Sequence, residues 1–91
     1  MSKTKRHLAR VAALGCILCR HQGVADSPAE IHHLRDGQGG AQRGSDFTVV
    51  PLCPEHHRGA SGLHGLGVRG FSARYRLEEL DLLAMTIEAL A

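Results

Sequence analysis

The sequence has no tryptophan, one tyrosine and two phenylalanines, which leaves no row of aromatic platforms on which single-stranded bases could stack. Cysteine is scarce and odd in number, with three residues, and the basic first residues contain no apolar signal stretch. A disulfide framework of the secreted type is therefore a poor account of the thiols. Reduced thiolates in a cytoplasm fit better. No apolar run approaches the ~20 residues needed to span a bilayer, so a soluble chain without a membrane partner is expected. Acidic residues are missing before Asp26, although Lys3, Lys5, Arg6, Arg10 and Arg20 precede it; bases are missing from positions 78–91, which hold Glu78, Glu79, Asp81 and Glu88. Without that tail, positions 1–77 carry eleven basic and five acidic residues, a net of +6. Such a body suits a phosphate backbone, although solvated helix ends would give the same balance.

With 91 residues the chain is expected to form a single domain, 1–91, whose apolar burial alone barely offsets its conformational entropy. A structural metal would close that gap, and the sequence offers one. Cys16-Ile17-Leu18-Cys19 is followed, thirty-three residues on, by Cys53-Pro54-Glu55-His56. Two residues between ligands let a tight turn aim both side chains at one ion, and three thiolates with an imidazole suit tetrahedral zinc. His21 is an alternative to His56 as fourth ligand. The competing reading treats the cysteines as small buried hydrophobes.

Residues 4–14 carry Leu8, Val11, Ala12 and Leu14 at helical spacing, with Thr4 as cap and Gly15 as stop. Gly23, Asp26, Ser27 and Pro28 mark a loop before a short strand, Ala29 to Leu34. Residues 36–46 hold four of the eleven glycines and read as a hairpin-like loop. A second strand is expected from Phe47 to Leu52, then a helical turn from Pro54 to Arg58. Beyond it, Gly59, Gly62, Gly65 and Gly67 place His64 on a loop or a broken helix. Phe71 and Tyr75, then Leu77, Leu80, Leu83, Ala84, Ile87 and Leu90, continue a helical stripe. The coarse order is α, knuckle, β, glycine loop, β, short α and a carboxyl-terminal helical pair, which makes an α+β domain.

Seven histidines are more than one zinc site absorbs. His32-His33 lies on the first strand, His57 directly follows zinc ligand His56, and His64 lies just beyond. A histidine near a metal loop is commonly a solvated or hydrogen-bonded residue. His57 differs, because the ion that holds His56 would fix its backbone as well.

Val49-Val50-Pro51-Leu52-Cys53-Pro54-Glu55-His56-His57-Arg58, preceded by His32-His33-Leu34, resembles the HNH endonuclease motif, the ββα-metal fold in its zinc-stapled form. The resemblance covers residues 16–64, with a basic helix at 1–15 before it and helices over 70–91 after it. More narrowly, His32 to Arg35, the glycine loop, Arg43, Ser45-Asp46, Pro51 to Gly59, Leu63-His64-Gly65 and Phe71 to Tyr75 are similar to the catalytic domain of the phage recombination-enhancing nucleases that work with RecA. This resemblance implies a phage or prophage protein in a bacterial cytoplasm, with DNA as substrate and RecA or another recombination protein as partner. His33 would be the general base. His32, His57 and His64 would bind a catalytic Mg2+ or Mn2+. Arg43 and Arg58, with Lys5 and Arg6 of the basic helix, would hold phosphates.

The chain departs from the motif in three places. Thr48 replaces the usual asparagine, and Asp46, two residues earlier on the same strand face, either orients His33 or joins the metal. His57 and His64 are more than one helical turn apart. His32 and His33 would point to opposite faces of an ideal strand, so a bulge or strand end is needed if both serve one site, and either could be the base. A non-catalytic zinc-stapled DNA-binding or recombination adaptor module is the alternative reading.

Overall fold

The computed structural model describes residues 2–35 and 44–91. The element order is α1 (Lys3–Ala13), α2 (Ile17–His21), β1 (Glu30–His33), β2 (Val49–Leu52), α3 (Pro54–Arg58), α4 (Leu63–Tyr75) and α5 (Glu79–Leu90). This is a small α+β domain. Its centre is a ββα unit of two antiparallel strands and α3, flanked by the other helices.

Ser2 caps α1, its Oγ accepting from the Lys5 N–H at 3.1 Å; the cap lies two residues before the expected Thr4, because a hydroxyl serves the N–H groups ahead of it. Gly15 follows the helix with φ 76°, where a Cβ would come within 3.0 Å of the Ser27 carbonyl oxygen. That carbonyl accepts from the Cys16 N–H, which folds the following loop back on the knuckle.

The strands pair in the register Glu30↔Leu52, Ile31↔Pro51, His32↔Val50 and His33↔Val49. The second strand starts at Val49 rather than Phe47, since the Thr48 N–H bonds back to Ser45 in a turn. Pro51 is tolerated because a two-stranded sheet has only edges. Strand alternation places Glu30, His32, Val50 and Leu52 on one face, where Val50 and Leu52 join Ile17, Leu18, Leu63, Phe71 and Leu82 in the core. Val49 and Val11 are fully buried outside that cluster, where α1 lies against both strands.

The turn from α3 into α4 is tight. A Cβ on Gly62 would collide with the Glu55 carbonyl oxygen, and one on Gly65 with that of Gly59. Glu55 Oε2 accepts from Ser61 N–H and Oγ–H, and Tyr75 Oη–H donates to the Ser61 carbonyl at 2.7 Å. These bonds clamp the two helices together. His64 is carried by the first turn of α4, and Gly67, at φ 75° and ψ 167°, breaks that helix after it.

In α5 the buried face is Glu79, Leu82 and Thr86. The stripe expected through Leu80 and Ile87 faces solvent instead, with those residues 58% and 56% exposed. The helix is rotated so that a carboxylate enters the core. Among the described residues, no helix is long and apolar enough to cross a membrane.

Candidate metal centres

Each zinc half-site is built by the same local device. Cys16 and Cys53 are N-caps of one-turn helices, and their Sγ atoms accept from the N–H groups of Cys19 at 3.4 Å and His56 at 3.5 Å. The cap bond turns residue N3 toward the cap sulfur, so Cys19 and His56 arrive on the same side as Cys16 and Cys53. The four ligand atoms form one group.

Their spacing fits an ion. His56 Nδ1 lies 3.5, 3.6 and 3.4 Å from the sulfurs of Cys16, Cys19 and Cys53, and the sulfurs of Cys19 and Cys53 are 3.9 Å apart. With ordinary zinc bond lengths, tetrahedral edges are about 3.6 Å between sulfur and nitrogen and about 3.8 Å between sulfurs. All three cysteines are free thiols, and 3.9 Å is far beyond a disulfide bond. The group can hold a structural metal such as zinc. Burial pushes the Cys16 thiol up to about 12 and holds the His56 imidazole below its ordinary value. The imidazole is thereby kept neutral for a metal, whereas the Cys16 proton must leave when one binds.

His57, the next residue, faces the other way into a second group with His32 and His64, whose candidate ligand atoms all lie within 4.8 Å of one another. His57 Nε2 and His64 Nε2 are 3.2 Å apart. The His32 ring centroid lies 5.2 and 5.4 Å from those of His57 and His64. One helical turn thus supplies consecutive residues to two metal-ligand groups.

Two carboxylates stand behind these imidazoles. Glu30 Oε1 lies 2.8 Å from His57 Nδ1, and it is gripped by Arg58, whose Nε and Nη2 donate to the same carboxylate. Hydrogen bonds from Arg58 and then from His57 hold the Glu30 carboxyl down at about 2. Glu79 Oε2 lies 2.7 Å from His32 Nε2, and both its oxygens accept from the Arg35 N–H at 3.2 Å. A carboxylate on the outer nitrogen fixes the tautomer and aims the inner nitrogen at an ion. His64, held below its ordinary value by burial and by the positive field of His57, His32 and Arg35, is neutral and able to ligate.

His33 ends β1 and is not a member of the triad group. Its Nε2 lies 2.7 Å from Asp46 Oδ1, with the side chains 19% and 29% exposed. Lys5 and Arg6 are exposed on α1, whose His7 ring packs 5.1 Å from Phe47 beside Asp46. Arg58 is engaged by Glu30 as described. Arg43 lies outside the described residues.

Glu30 and Glu79 were not anticipated as site residues. Glu30 carried a signal, since it lies two residues before His32 and so shares its strand face. Glu79 carried none, being one acid among several at a helix start.

The fold and these clusters define a zinc-stapled ββα domain. A family model described as recombination enhancement, RecA-dependent nuclease, matches residues 1–91, and the chain belongs to that family. It is therefore a recombination-related nuclease, and the family's description carries a nucleic-acid substrate and a dependence on RecA. No curated protein matches the chain.

Proposed function

We propose that the chain is a metal-dependent DNA endonuclease of the HNH type, derived from a phage or prophage, that hydrolyses phosphodiester bonds on DNA organised by RecA. The observation that carries this reading is the histidine triad, with Glu30 behind His57 and Glu79 behind His32, beside the zinc-ligand group. A purely structural staple needs only one such group.

A divalent ion held by His32, His57 and His64 would stabilise negative charge on the scissile phosphate and the leaving oxygen. Three imidazoles favour a transition ion over Mg2+, which prefers oxygen. His33 acts as general base. With Nε2–H donating its hydrogen bond to Asp46 Oδ1, the neutral tautomer leaves Nδ1 as the acceptor for a proton from water. Asp46 positions that ring and favours the imidazolium that forms. Lys5 and Arg6 meet flanking phosphates, while Arg58 keeps Glu30 ionised and in place.

The test is cleavage of supercoiled, linear, single-stranded and RecA-coated DNA, with Mg2+, Mn2+ or Co2+ present or withheld, and His33→Ala as control. Ion-dependent cutting that the variant loses supports the assignment. DNA binding without cutting on any substrate would leave the non-catalytic adaptor.

A further inference from the structure

A cavity of about 270 Å³ opens beside the triad, between the end of β1, the first half of α4 and the start of α5. Its lining includes the polar His32 and His64 and the apolar Leu63 and Val68. Gly67 bends α4 at this point, and a Cβ there would meet nothing within 4 Å, so the bend leaves the space open. Ligand sites for drug-sized molecules run from about 300 Å³ upward; this one suits a single nucleotide and not a duplex.

Arg35 lines the same cavity. Its backbone N–H is tied to Glu79, which fixes where the side chain starts, while its guanidinium makes no ion pair among the described residues. Arg58 differs, because Glu30 occupies its guanidinium. Glu79 is the acid in the cavity wall, and its oxygens are already taken by His32 and the Arg35 N–H, which blunts its repulsion of an anion.

We propose that this cavity seats the nucleotide adjoining the scissile phosphate, with Arg35 clamping its phosphate and Leu63 and Val68 covering its base or sugar. The assignment rests on the nuclease reading. It gives Arg35, and not Arg58, the phosphate contact nearest the triad, since a planar guanidinium fork matches phosphate oxygens in pairs.

The experiment is equilibrium binding of a short fluorescent DNA strand across a range of salt, without added divalent ion, alongside cleavage of the same strand with it. Arg35→Gln keeps the backbone N–H that Glu79 needs. It should weaken binding about tenfold and reduce the salt slope by about 0.7 for a single strand, with zinc content and Co2+ binding at the triad unchanged. Val68→Trp, at a position 50% exposed, should fill the cavity and weaken binding with the salt slope intact. Wild-type affinity and slope in Arg35→Gln, or wild-type affinity in Val68→Trp, would overturn the assignment while leaving the nuclease reading in place. A wild-type chain that neither binds nor cuts the strand, whether bare or coated with RecA, would overturn both.

Discussion

Glu79 Oε2 stands 2.7 Å from His32 Nε2, and both side chains are only 3% exposed. A buried carboxylate is retained when it is paired, and this one joins α5 to a strand forty-seven residues earlier. The carboxyl-terminal helix therefore belongs to the candidate metal centre as well as to the core. Glu79→Gln keeps the shape and removes the charge. Triad affinity for Co2+ or Ni2+, measured by calorimetry on the zinc-loaded protein, should fall about 10–100-fold. Unchanged affinity would make the pair a packing contact alone.

The zinc group yields a pH dependence whose sign is fixed by Cys16. Its thiol, raised to about 12 by burial, is protonated in the metal-free chain at neutral pH, so zinc must displace that proton. Affinity should then rise at least about tenfold per pH unit between mild acid and mild alkali, as read by competition with a chelator. Flat affinity over that range would mean that Cys16 is not a ligand. Chelation to completion, or Cys53→Ala, should melt the cap turns together with the core residues Ile17, Leu18 and Leu52 that they anchor, visible as loss of helical circular dichroism.

Glu30 is shifted in the opposite direction, yet its effect also grows with pH. Arg58 and His57 depress its carboxyl from the ordinary 4.5 to about 2, so its contribution to stability is complete above about 4.5 and is lost as pH falls through about 2. In Arg58→Ala the folded value should move back toward the unfolded one, so that the carboxylate behind His57 is lost at a higher pH. Carboxyl NMR titration of the two proteins reads this directly. Coincident titration curves would show that Arg58 does not hold Glu30.

What the sequence reveals is what is local. Cys-x-x-Cys and Cys-Pro-x-His each close within one turn, so the four-ligand group is legible from spacing, and His57 follows by adjacency. His64 required the fold, because the bonds of Glu55 and Ser61 and the contacts of Gly62 and Gly65 bring α4 back onto α3. The buried face of α5 is not legible from periodicity, for a physical reason. Periodicity favoured Leu80 and Ile87, whereas His32 and the Arg35 N–H call for a carboxylate inside, and Glu79 rotates the helix to supply it. Ser2 as the cap of α1 follows from hydrogen bonds that run to residues ahead of the hydroxyl.

His33 and Asp46 allow the proposed base to be tested apart from the candidate metal ligands. His33 Nε2 and Asp46 Oδ1 are 2.7 Å apart and neither residue belongs to the triad group, so substitutions there need not disturb ion binding. His33→Ala should lower single-turnover cleavage by about 10²–10⁴-fold, the usual contribution of a general base, while Co2+ affinity and zinc content stay at wild-type values. Asp46→Asn should lower it less, because an amide still holds the ring but can select the other tautomer and does not balance the imidazolium. Double-variant kinetics discriminate further. If Asp46 acts through His33, adding Asp46→Asn to His33→Ala should change the rate little, since effects within one catalytic unit are not additive. Multiplying losses would assign Asp46 a separate contact with the ion or the substrate. Equal loss of ion binding and cleavage in His33→Ala would instead place His33 among the metal ligands and leave the base to be sought elsewhere.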